Sequence, residues 1–176
     1  MLKNIFFFSA VFFFQGCLIF HKVSYEINLN GATDGTAVIT VYDIRSDALT
    51  ELTFEEDKNN LFEFALKSNE FVKQMESEGK KLGDRELFSS GDTLNGRIEY
   101  SFSDINKVEN LSFENGFYYL QLTPEDSVIS TNGELLASEG KKMIVWDRSF
   151  TTLQFELFST SFPPGTTSRE LLPYLE

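Results

Sequence analysis

Cys17 is the only cysteine of the 176-residue chain, and it follows Gly16 directly. Upstream lie Lys3 and the ten-residue apolar run from Ile5 to Phe14. A positive start, an apolar stretch and a small residue before the scission point make a secretory signal. A thiol just beyond that point is open to acylation, which turns an exported domain into a membrane-tethered one. The expected chemistry is therefore lipidation of Cys17 with signal cleavage after Gly16. Two other readings use the same residues. As an uncleaved anchor, the stretch Ile5 to Phe20 would span about 24 Å as a helix, short of the roughly 30 Å hydrocarbon core. As an ordinary cleaved signal it would leave Cys17 a free thiol.

The segment Phe14-Gln15-Gly16-Cys17 resembles a bacterial lipobox, with Phe14 where Leu is usual and Gln15 where a small residue is usual. Relaxed boxes of this kind look like those of spirochaete lipoproteins. The resemblance implies export and lipid anchoring in the bacterial envelope, at the outer membrane, through acyl chains (palmitate among them) on Cys17.

Other groups capable of chemistry are sparse. The sole histidine, His21, falls in the expected tether, where nothing is expected to fix it as a base or ligand. Once Cys17 is acylated no thiol remains, for catalysis or for a disulfide. The chain lacks Gly-x-Ser-x-Gly, His-Glu-x-x-His and a phosphate loop. Glu55-Glu56-Asp57 invites a metal reading, but carboxylates before a helix serve its positive end. Asn30 and Asp34 belong to a turn without the ligand spacing of a calcium loop. No catalytic residue, metal site or cofactor is assigned, and the expectation is a protein that is not an enzyme. An enzyme would need a pocket of converging carboxylates with perturbed pKa values.

The formal charge is −12, and loss of Lys3 with the signal makes it one unit more negative. An acidic domain is repelled by phosphate backbones, so nucleic acid is excluded as a partner. With no basic patch beside the tether, attachment rests on the acyl chains. Thirteen of the nineteen Phe residues lie beyond the signal, with six Tyr and Trp146, enough for one core.

The elements holding these residues read as follows. Residues 1–16 are the cleaved signal, 17–22 a lipidated tether, 23–162 a single domain and 163–176 a tail after Pro163-Pro164-Gly165. Val23 to Leu29 alternates apolar and polar, and Thr36 to Ile44 is β-branched, so the two form a hairpin across Asn30–Gly35. Leu61, Phe64, Ala65, Ser68, Phe71, Val72 and Met75 recur at helical spacing and predict one amphipathic helix from Lys58 to Glu78, capped by Asp57 or Asn60. Its mixed polar face favours packing on a sheet over lying on a membrane. Gly79 to Thr93 reads as a long surface loop. Leu94 to Phe102 reads as a strand with a bulge at Gly96, and Ser103 to Val108 as a capped turn. Asn115-Gly116 specifies a tight hairpin. Met143 to Trp146 and Leu153 to Phe158 add two strands. The fold class is α+β: an antiparallel sheet of about seven strands with one long helix on a face.

That order, with Asn28-Leu29-Asn30, Asp34-Gly35-Thr36-Ala37 and Tyr100-Ser101-Phe102-Ser103-Asp104, resembles the exported domain of LppM-type bacterial lipoproteins over about a third of the chain. The resemblance implies lipid recognition at the envelope and assigns no binding residue. The expected role is a non-catalytic binding or structural module, its partner an envelope protein or lipid. The alternatives are a dedicated envelope-lipid or hydrophobic-ligand binder, and a signal-anchored or secreted enzyme. Lipid binding requires a cavity beneath the helix, and protein binding an exposed aromatic patch above a few hundred Å².

Overall fold

The computed structural model describes residues 18–138, 140–158 and 168–176, so Cys17, Gly16 and Pro163-Pro164-Gly165 lie outside it. The chain is paired from its first described residues. Strand β1 (Leu18–Ile19) is followed by β2 (Lys22–Leu29), β3 (Gly35–Tyr42) and β4 (Arg45–Ser46). As alternation required, β2 and β3 pair in unbroken antiparallel register from Lys22↔Tyr42 to Leu29↔Gly35. After the helical segment come β5 (Lys80–Ser90), β6 (Thr93–Phe102), β7 (Leu111–Glu114), β8 (Phe117–Leu122), β9 (Ser127–Thr131), β10 (Glu134–Ser138), β11 (Lys141–Asp147), β12 (Thr152–Phe158) and β13 (Arg169–Glu170).

The fold is α+β and antiparallel. A six-stranded sheet has the order β5-β6-β3-β2-β12-β9, a four-stranded sheet β10-β11-β8-β7, and a small sheet β1-β4-β13. In the large sheet Val23, Tyr25, Ile27, Ile39, Tyr100 and Phe155 point to one face and are buried, whereas Ser24, Glu26, Thr40 and Glu99 point to the other. One dry face and one wet face is the pattern that period-two alternation produces. The four-stranded sheet covers one part of the dry face, bringing Trp146 to 6.0 Å from Phe155 between ring centres. The Tyr118 hydroxyl donates to the Ala32 carbonyl at 3.0 Å and ties the two sheets together. The helical segment covers the β5-β6-β3 part.

That segment departs from the single helix expected over Lys58–Glu78. Helix α1 (Glu51–Lys58) begins at Thr50, whose hydroxyl accepts from the Thr53 N–H in a reciprocal capping box. It widens into a π-helical stretch, Asn59–Ala65, and the chain is extended at Ser68 (φ −73°, ψ 142°) before α2 (Asn69–Ser77). The Ser68 hydroxyl accepts from the N–H groups of Glu70 and Phe71, so it caps a new helix where a continuing helix was expected. The three-and-four spacing survives on both sides of the break, which is why periodicity does not reveal it. Neither Asp57 nor Asn60 is a cap: Asp57 is fully buried inside α1 and accepts from the Ser46 hydroxyl.

Four further expectations change. The described residues hold thirteen strands in three sheets, not about seven in one. Strands β9 and β10 were not expected because their side chains are mostly exposed and show no apolar alternation. Gly79–Thr93 is no loop: β5 fills most of it, its alternation broken by a bulge between Leu82 and Asp84. That bulge sits at Gly83, whereas Gly96 stays in regular register opposite Val41 and Leu87. Both ends of the described chain also join the fold, since β1 and β13 flank β4 and Leu171 is fully buried.

Candidate functional site

Between the helical segment and the large sheet lies an apolar cleft of about 80 Å³, open on one side. The helices contribute Leu61, Ala65, Leu66 and Phe71; the sheet contributes Ile39, Val41, Leu87 and Ile98. Leu18 and Phe20 border it from the entering chain. Its floor is low at Gly96, where an added Cβ would lie 3.2 Å from both Ile44 Cδ1 and Leu87 Cδ2. The helix break shapes the other wall. Arg85 on β5 donates through Nη1 to the carbonyls of Ala65 (2.8 Å) and Ser68 (3.1 Å), two groups that the interrupted helix leaves unused. Burial draws the Arg85 guanidinium below its ordinary range. Arg97 and Glu86 border it from the strands, but their side chains share the wet face with Thr40 and face each other there at 3.7 Å. Chemically the cleft offers dispersion contacts to an apolar chain, with the Arg85 guanidinium at its edge.

A second feature fills the seam between the two larger sheets. Lys80, 1% exposed, lies 3.2 Å from Glu78 and 3.8 Å from Glu109. Glu109 adopts φ +49°, a left-handed backbone that costs a non-glycine residue about 1 kcal/mol and aims its carboxylate inward. The Tyr100 hydroxyl donates to it at 3.5 Å. Burial raises the Glu109 carboxyl above the usual carboxylate range, with Glu78 adding to the rise and Lys80 opposing it. Burial also lifts the Tyr25 and Tyr100 phenols, and the Glu109 charge adds to both. Glu109 and Asp126 border a void of about 30 Å³, the converging carboxylates that an enzyme reading asked for. That space is the size of a water molecule.

The residues singled out from the sequence lie elsewhere. His21 is held, against expectation: its Nδ1 is 2.6 Å from Asp43, whose other oxygen accepts from Arg45 Nε at 2.8 Å. Of the acidic stretch, Glu55 pairs with Lys58 at 2.6 Å and Asp57 is turned into the core, so the three carboxylates do not converge. The helix-face residues Leu61, Ala65 and Phe71 do meet, in the cleft wall. Sequence reasoning missed Arg85 and Glu109 and read Gly96 as a bulge, where the structure makes it part of the cleft lining. Arg85 and Gly96 gain their roles from cross-strand register, and Glu109 from a backbone conformation with no local signature. An apolar strip on the outer face of the four-stranded sheet was also missed, with Leu136 and Phe117 each 43% exposed and Tyr119 between them. Among the described residues no helix is long and apolar enough to cross a membrane.

No protein family, curated protein or solved structure matches this chain, so the functional reading rests on its own geometry.

Proposed function

We propose that this is a lipid-anchored protein of the bacterial envelope, held at the outer membrane by acyl chains on Cys17, whose domain is a non-catalytic module that binds an apolar chain. The observation that carries the binding reading is the apolar cleft beneath the broken helix. Its place supports the anchoring reading too. Leu18, at its border, directly follows Cys17, so an acylated Cys17 would hold the cleft within one residue's span, about 3.8 Å, of the anchor. Lipids leaving a bilayer would meet it without a long path through water.

Two measurements test this. Intact mass of detergent-extracted protein is expected to match residues 17–176 plus acyl chains, and to lose those chains in Cys17→Ala. A mass starting at Met1 would replace the lipoprotein with an anchored chain, and an unacylated cleaved product with a secreted one. Benzene, an apolar probe, is expected to raise the unfolding temperature of the wild type and to have no such effect on Ala65→Phe, whose ring fills the cleft. An equal response in both would sink the cleft reading.

A second reading, contact with another envelope protein, rests on the Leu136–Tyr119–Phe117 strip. A double change of Leu136 and Phe117 to Ser that abolishes co-purification of an envelope partner, with benzene binding intact, would favour it.

A further inference from the structure

A guanidinium with no counter-charge borders the cleft. Among the described residues Arg85 makes no ion pair; its side chain bonds only the carbonyls of Ala65 and Ser68, both through Nη1, and lies 5.6 Å from the centre of the Phe71 ring. The neighbouring carboxylates are otherwise engaged. Asp84 accepts from the main-chain N–H of Arg85, Glu86 faces Arg97 at 3.7 Å, and Glu99 holds Arg97 at 3.2 Å. The Nε and Nη2 groups thus form an edge of the guanidinium with donors to spare. Two parallel N–H donors match the two oxygens of one carboxylate.

We infer that the cleft receives a single-chain amphiphile with a carboxylate head, a fatty acid, its head on the Nε–Nη2 edge of Arg85 and its tail against Leu61, Phe71 and Ile98. This deepens the reading of the cleft as an apolar-chain site and rests on it. One part-buried positive charge beside an apolar cleft fits one negative charge on an apolar tail, a pairing that a neutral lipid does not offer. The cleft's 80 Å³ is about half of an engineered cavity that accepts benzene. It therefore houses the methylenes nearest the head, and the rest of the tail runs out along the open side past Leu18 and Phe20. The carboxylate takes the Nε–Nη2 edge and leaves Nη1 on the Ala65 and Ser68 carbonyls, so binding keeps the contact that holds the helix break to β5.

The test uses the full chain in phosphatidylcholine vesicles and photolabelling with dodecanoate carrying a mid-chain diazirine. Dodecanol and dodecyl phosphate with the same group are compared, and labelled peptides are mapped by mass spectrometry. Dodecanoate is expected to label residues 18–20 and 61–71 about tenfold more than the alcohol, as one charge-assisted pair would give. Arg85→Gln should bring the acid down to the level of the alcohol, and Arg85→Lys should keep part of the preference. The comparison of acid with alcohol on the wild type needs no variant, so it survives any loss of fold on mutation. Equal labelling by acid and alcohol overturns the carboxylate assignment and leaves the cleft reading standing. Labelling by neither at these residues overturns both, and a preference for the phosphate overturns the choice of head.

Discussion

The dry face of the six-stranded sheet is covered in two ways. Under the four-stranded sheet it is filled: Trp146, Tyr118, Ile144 and Leu120 are at most 2% exposed, and an added Cβ at Gly133 would sit 2.5 Å from the Trp146 ring. Under the helical segment it is open, because a π-helical stretch and an extended Ser68 leave space. Two pleated surfaces of matching twist interdigitate along their length, whereas a broken helix meets a sheet at separate points. One half of the sheet face is filled and the other leaves a cleft. Charge follows the same division. At the seam with the four-stranded sheet Lys80 is buried between carboxylates, and at the cleft Arg85 bonds only carbonyls.

The comparison breaks most readily at Trp146. Trp146→Ala is expected to cost about 3–5 kcal/mol in urea unfolding, because the filled half cannot collapse around the lost ring. A loss under about 1 kcal/mol would mean that the two sheets are not tightly packed. Lys80→Met keeps the volume but leaves Glu109 buried beside Glu78, and should cost about 3 kcal/mol at neutral pH. No loss there would show that water reaches the seam.

The pH dependence sharpens the same contrast. Because the folded Glu109 carboxyl lies above its unfolded value, mainly through burial, the folded state holds that proton more tightly. Its stabilising contribution is complete below the ordinary carboxyl range and is lost as pH rises through the raised folded value. Urea titrations across that window should show stability falling with pH in the wild type and a flatter course in Glu109→Gln. Identical slopes would remove Glu109 as the cause. The smallest expected effect is in the open half. Ala65→Phe should change stability by less than about 1 kcal/mol, where overpacking a filled core costs about 1–3 kcal/mol. A larger loss would mean that the cleft is closed in solution.

Local chemistry made part of the fold readable. The β2–β3 hairpin follows from alternation, and the β7–β8 hairpin from Asn115-Gly116, both at positive φ (53° and 83°). The turn at Ile105–Lys107 follows from Asp104, which accepts from the Asn106 N–H at 3.0 Å. The apolar helix face was likewise legible as core material, and it supplies the cleft's outer wall. Strand β10 was not legible, since it is held by pairing with β11 and its side chains are all exposed. The helix break was not legible either: Ser68 is compatible with both a helix surface and a cap, and contact with Arg85, seventeen residues away in sequence, favours the cap.

By itself the sequence determined the α+β class, the two hairpins and the apolar faces, because these depend on period, turn chemistry and burial preference over a few neighbouring residues. It also located the one cysteine in an expected lipidation context. Tertiary structure alone decided that the dry face is covered by two different materials, that Arg85 meets the broken helix, and that Gly96 lies beneath it in register with Leu87. Those relations join residues distant along the chain, and their energies exist only once the strands have paired and the helices have docked.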